Sequence, residues 1–179
     1  MKITNKMMGL AAAAALMAGT SELASAQTVN VGLVSVDAPS TFTGVLPIGS
    51  FIDTITFSLP ANHGSAYSVV NVPLSLLGNT FDLLFSSIAL FSNPDGVLFN
   101  ADDAFLTSSM GAGAASMSLS FAGNAGGNMY LTLAGVTTGT AGGIYAGAID
   151  VAPIPLPPAV WMLGSAIVGL VTVGRRKAA

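Results

Sequence analysis

The chain has 179 residues, no cysteine and only 7% charged residues, against roughly 25% in an ordinary globular protein. The absence of cysteine excludes disulfides, thiolate nucleophiles and Cys-based metal sites. All five basic residues sit at the ends (Lys2, Lys6, Arg175, Arg176 and Lys177), while the intervening stretch carries all eight acidic ones; a body without Lys or Arg cannot neutralise phosphates, so nucleic acid is excluded as a partner.

The first 26 residues read as a signal peptide. Lys2 and Lys6 form a basic region, Met7 to Ala18 is an apolar run, and Ala24-Ser25-Ala26 is an A-x-A cleavage site. The apolar run is too short to cross about 30 Å of hydrocarbon. Cleavage by signal peptidase is expected after Ala26, leaving Gln27 as the new N-terminus and exporting the chain through the inner membrane.

Residues 27–152 read as one all-β body. The expected strands are Val29–Val36, Phe51–Leu59, Tyr67–Val72, Leu83–Phe91, Val97–Phe99, Ser116–Phe121, Met129–Val136 and Ile144–Val151, separated by Gly, Asn, Pro and Ser clusters. Strands at this spacing predict a single β-sandwich or jelly-roll-like fold. Ser108 to Ala115, rich in Gly, Ala and Ser, reads as a loop, and Leu74–Leu77 as a loop or short helix.

Phe51, Asp53, Ile55 and Phe57 alternate and so share one strand face. Asp53 is therefore expected to be buried among apolar side chains. A buried carboxylate needs a partner, and the body offers only backbone N–H groups, hydroxyls, His63, a bound cation or protonation. Backbone or hydroxyl donors are the expected answer.

Asp95, Asp102 and Asp103, with Asn93 and Asn100, lie within eleven residues. Hard oxygen ligands suit Ca²⁺, but the spacing departs from the D-x-[DN]-x-[DN]-G pattern and the same residues dominate turns. They are read as turn residues first and Ca²⁺ ligands second; no other cofactor is expected. His63 is the only histidine and no G-x-S-x-G elbow is present, so no catalytic residues are assigned. Sugar sites stack aromatics, but the body lacks Trp and its Phe residues are expected in the core.

Residues 153–179 form a second signal. Pro153, Pro155, Pro157 and Pro158 block helix, an apolar segment follows over about 158–174, and Arg175-Arg176-Lys177 closes it on the cytoplasmic side. A transmembrane helix is expected there. Ile154-Pro155-Leu156-Pro157-Pro158, the short apolar segment and Arg175-Arg176 together resemble a PEP-CTERM sorting tail of the VPLPA type, with Ile154 in place of Val and Pro158 in place of Ala. The stretch Phe51-Ile52-Asp53-Thr54-Ile55-Thr56-Phe57 is similar to the opening strand of the FxDxF group of that family, with Ile55 in place of the second Phe. Gly127 to Gly135 with Ile144-Tyr145 resembles its closing hairpin, and also prepeptidase C-terminal β-sandwich domains. The resemblance implies processing by an exosortase-type enzyme at the tail, transient anchoring in the membrane, and release to the cell surface or an exopolysaccharide matrix. It implies no enzymatic activity. A surface module that binds Ca²⁺ or glycan, and an unrecognised hydrolase, are the alternatives.

Overall fold

The computed structural model describes residues 25–123 and 126–153. Eleven strands follow one another: β1 Thr28–Leu33, β2 Ser40–Leu46, β3 Ser50–Leu59, β4 His63–Asn71, β5 Leu74–Leu76, β6 Asn79–Phe81, β7 Leu83–Ser92, β8 Ala104–Ala114, β9 Ser116–Phe121, β10 Gly127–Thr137 and β11 Gly143–Pro153. They build a five-stranded sheet in the order β1-β3-β10-β7-β8, a four-stranded sheet in the order β2-β11-β4-β9, and a small β5-β6 hairpin. β1 runs parallel to β3, and the remaining strand pairs are antiparallel. The all-β sandwich expected from the sequence is present.

Alternation along the strands generates the core. Phe51, Ile55, Phe57 and Leu59 of β3, Leu131 and Leu133 of β10, and Phe85, Ile88 and Leu90 of β7 point from one sheet. Phe42 and Leu46 of β2, Tyr67 and Val69 of β4, and Tyr145, Ile149 and Val151 of β11 meet them from the other; all are buried in one cluster. The sheets touch through rings: Phe51 stacks on Tyr145 at 6.4 Å, and Phe57 meets Tyr67 at 5.7 Å.

Two glycines make room for two of these rings. In the β2–β11 ladder Gly44 lies opposite Tyr145 and Gly147 opposite Phe42. A Cβ at Gly44 would stand 2.3 Å from the Tyr145 ring, and one at Gly147 2.2 Å from the Phe42 ring. Each ring lies across the bare backbone of the neighbouring strand.

The structure departs from the expected elements in four places. Ser108 to Ala115 is not a loop: most of it belongs to β8, which pairs with β7. Its small residues carry no hydrophobic pattern because this edge strand is held by backbone hydrogen bonds. Ser40–Leu46 is a strand whose alternation is interrupted by Gly44. Leu74–Leu76 opens a hairpin, since Leu77 and Gly78 both adopt positive φ (50° and 83°), the geometry of a two-residue primed turn. Val97–Phe99 lies in the loop joining β7 to β8.

Among the described residues no helix is long and apolar enough to cross a membrane. The segment expected to span one, about 158–174, lies outside the described residues, as do Ala24, Pro155, Leu156, Pro157, Pro158, Arg175 and Arg176.

Candidate functional site

The richest polar and aromatic chemistry gathers where β7 passes into β8. On β7, Leu90 points into the core, so Phe91 must face solvent. Register places Phe91 beside Tyr130 of β10 and beside Phe105 of β8. Phe91 stacks on Tyr130 at 5.0 Å with ring planes 7° apart, and meets Phe105 edge-on at 5.6 Å. Phe99 folds back from the loop to meet Tyr130 edge-on at 5.3 Å.

The result is a four-ring shelf on the solvent face of the five-stranded sheet. Tyr130 is covered, while Phe99 and Phe105 are 55% and 50% exposed. This corrects the expectation that the Phe residues lie in the core: Phe42, Phe51, Phe57 and Phe85 do, but Phe91, Phe99 and Phe105 do not. Strand parity carried the signal for Phe91, since Leu90 is its inward neighbour. Phe99 holds its place with φ of 60°, a conformation that L-residues other than Asn and Asp rarely take. Strain of this kind concentrates at ligand sites.

The loop beside the shelf is organised by its own polar side chains. Asp95 accepts hydrogen bonds from the Val97 N–H at 2.8 Å and from the Asn100 side-chain amide at 2.8 Å. Asp103 Oδ2 accepts from the Asn100 N–H and from the Tyr130 hydroxyl, each at 3.1 Å. The Asp102 N–H donates to Asn100 Oδ1 at 3.3 Å. Burial raises the Tyr130 hydroxyl above the ordinary phenol range, and the Asp103 carboxylate raises it further. The phenol therefore stays a proton donor to Asp103.

Asp95 and Asp103 thus share Asn100, while Asp102 stands at the exposed surface. Among the described residues no three acidic or histidine side chains gather as a metal-binding group. Two side-chain oxygens, Asn93 Oδ1 and Asp103 Oδ1, are buried without a hydrogen-bond partner. They occupy the positions just beyond the Ser92–Ala104 pair that closes the β7–β8 ladder.

His63 opens β4 with its Nδ1 at 2.7 Å from the Ala61 carbonyl. Ser65 is engaged by the Tyr67 hydroxyl at 2.8 Å. The two residues do not form a serine–histidine pair.

Asp53 is fully buried, on the face predicted for it. Two of the donors considered from the sequence serve it. The Tyr145 hydroxyl donates to Oδ2 at 2.6 Å across the sandwich, and the Gln27 N–H donates to Oδ1 at 3.0 Å from the edge of the sheet. Burial pushes this carboxyl above its usual range, and the two hydrogen bonds pull it back.

No protein-family model and no curated protein matches the chain. Among solved structures it is similar to the pre-peptidase C-terminal domain of a Bacillus anthracis collagenase, at 15% identity over 74% of this chain and 100% of that one, with a TM-score of 0.36. It is also similar to Aeromonas hydrophila PliG, a periplasmic inhibitor of g-type lysozyme, at 15% identity over 72% of this chain and 100% of that one, with a TM-score of 0.38. At this distance neither likeness transfers a function.

Proposed function

We propose that the chain is an exported, non-catalytic surface or matrix protein whose body holds extracellular polysaccharide on the Phe91–Phe99–Phe105–Tyr130 shelf. Signal peptidase removes residues 1–26, and an exosortase-type enzyme acts at the Pro155–Pro158 tail after transient anchoring in the membrane. The observation that carries the binding role is the pair of half-exposed rings held beside the Asp95–Asp103 loop. Sugar C–H faces stack on such rings, and sugar hydroxyls donate to carboxylates. A body that carries only acidic charge and no Lys or Arg repels an anionic polymer but not a neutral one, so a neutral glycan is the fitting class.

The test is retention of the purified protein on the producing bacterium's own polysaccharide, with the mass of the recovered chain measured alongside. Retention that is lost in Phe99→Ala supports the reading. Equal retention of both proteins, or none of either, removes the shelf from it. A chain that keeps residues 154–179 in the membrane fraction removes the sorting step.

A Ca²⁺ reading draws on one observation, the buried and unpartnered oxygens of Asn93 and Asp103. Calorimetric binding, with a melting temperature lowered by EDTA, would favour it; a melt indifferent to both Ca²⁺ and EDTA eliminates it.

A further inference from the structure

Among the described residues Asp53 is the one carboxyl group that the fold encloses completely, and no Lys or Arg lies anywhere between Met7 and Gly174. Its Oδ1 faces a nitrogen of special position. Gln27 N, at 3.0 Å, belongs to the peptide bond that cleavage after Ala26 would hydrolyse. We propose that this cleavage converts the Gln27 nitrogen into an α-ammonium that pairs with Asp53, so that the sandwich acquires its only core-reaching cation through its own processing. The inference rests on the processing step of the preceding reading.

The chemistry balances without another reactant. Water adds across the Ala26–Gln27 amide; its hydroxyl goes to the Ala26 carbonyl and its proton to the nitrogen. A further proton from solvent completes the ammonium at neutral pH, since an ordinary α-amine has a pKa of about 7.7–8.0.

The geometry survives the cut. The Gln27 carbonyl accepts the Thr54 N–H at 2.8 Å, and Thr28 is already in register with Thr54. The new terminus is therefore held by the sheet rather than by the residues removed. What leaves is Ser25, whose N–H and carbonyl bond Ser50 and Ile52 at 2.9 Å each.

The energetics favour the pair for a specific reason. Burying a carboxylate is costly, but Asp53 is buried whether or not the chain has been cut. Gln27 lies at the exposed edge, so its ammonium keeps part of its hydration while one proton reaches Oδ1. Tyr145 is the titratable side chain that faces Asp53 among the described residues, and its hydroxyl occupies Oδ2. Before cleavage the carboxyl has two neutral donors; after it, one of them is charged.

The sign follows from linkage. An amine whose folded pKa is raised contributes stability in full below about pH 8, and loses it as pH rises through the folded value.

The experiment uses the full processed chain recovered from cells, with its N-terminus established by mass and sequencing. Acetylation of its α-amine at pH 7 is timed against the ε-amine of an added lysine peptide, in native buffer and in urea. In urea the α-amine should react faster, because a lysine amine has a pKa of about 10.4. In the native chain it should slow at least about tenfold, one unit of pKa being a tenfold change in free amine, and Asp53→Asn should restore the rate. An α-amine as fast natively as in urea, or equally slow in Asp53→Asn, overturns the pair.

A second measurement needs no substitution. Acetylating Gln27 in urea and refolding restores an uncharged amide that the structure already accommodates. That form should melt below the free-amine form at pH 7 and lack its decline from pH 8 to 10; identical melts overturn the proposal. A first residue other than Gln27 overturns the processing reading and the pair together. A Gln27 cyclised with loss of ammonia leaves no ammonium and overturns the pair alone.

Discussion

Tyr145→Phe isolates the worth of the hydrogen bond that crosses the sandwich. The ring stays among Phe42, Phe51 and Phe85, its three aromatic neighbours, so only the hydroxyl that donates to Asp53 at 2.6 Å is lost. A hydrogen bond to a charged group contributes about 1.5–3 kcal/mol, against about 1 kcal/mol between neutral partners. Tyr67→Phe provides the comparison. It deletes an equally buried hydroxyl that donates to the neutral Ser65 at 2.8 Å. Urea unfolding at pH 7 should show a loss of about 2 kcal/mol for Tyr145→Phe and about 1 kcal/mol for Tyr67→Phe. For a domain of this size these correspond to falls of roughly 8 °C and 4 °C in Tm. Equal losses would mean that Asp53 is not ionised in the fold, and would refute the argument that its partners matter because it carries charge.

Gly147→Ala should cost about 1–3 kcal/mol by overpacking, because the new Cβ meets the Phe42 ring at 2.2 Å; a thermal melt unchanged within about 0.5 kcal/mol would contradict the ring-over-glycine packing. Phe99→Gly separates folding from binding. Relief of a left-handed backbone, about 1–2 kcal/mol, offsets glycine's chain entropy of about 0.5–1 kcal/mol. Unfolding free energy should therefore hold within about 1 kcal/mol while polysaccharide retention is lost. Burial pushes the Tyr67 hydroxyl up to about 12, so the folded chain keeps a proton that the unfolded chain releases near pH 10. Stability should fall as pH rises from 10 to 12, and the fall should be shallower in Tyr67→Phe when both are followed by circular dichroism.

The sandwich could be read from the sequence wherever alternation met large side chains, as along Phe51–Leu59 and Met129–Val136. It was hidden where pairing did not depend on side chains. The second half of β8, residues 108–114, is written mostly in Gly, Ala and Ser, and the backbone hydrogen bonds that hold this edge strand have no sequence signature. β2 was hidden by Gly44, whose missing side chain makes sense only once Tyr145 is known to lie across it. Asp53 was legible as a buried acid from parity alone, but the identity of its donors depends on which strands end beside it. The shelf was missed because a Phe in a short apolar run reads as core. Only the inward direction of Leu90, and the pairing of Phe91 with Tyr130, turn those rings outward.

The strand order has a consequence for how the body is made. β10 is the strand between β3 and β7 in one sheet, and β11 the strand between β2 and β4 in the other. The two central strands are thus the last two of the body in sequence. A chain threaded through a membrane from its N-terminus would present β3, β4 and β7 with open edges until residues 127–153 had followed. Neither sheet could close early, and non-local pairing of this kind is slow. Folding would wait for the whole body to emerge, and the unpaired edges would have to be kept apart until then.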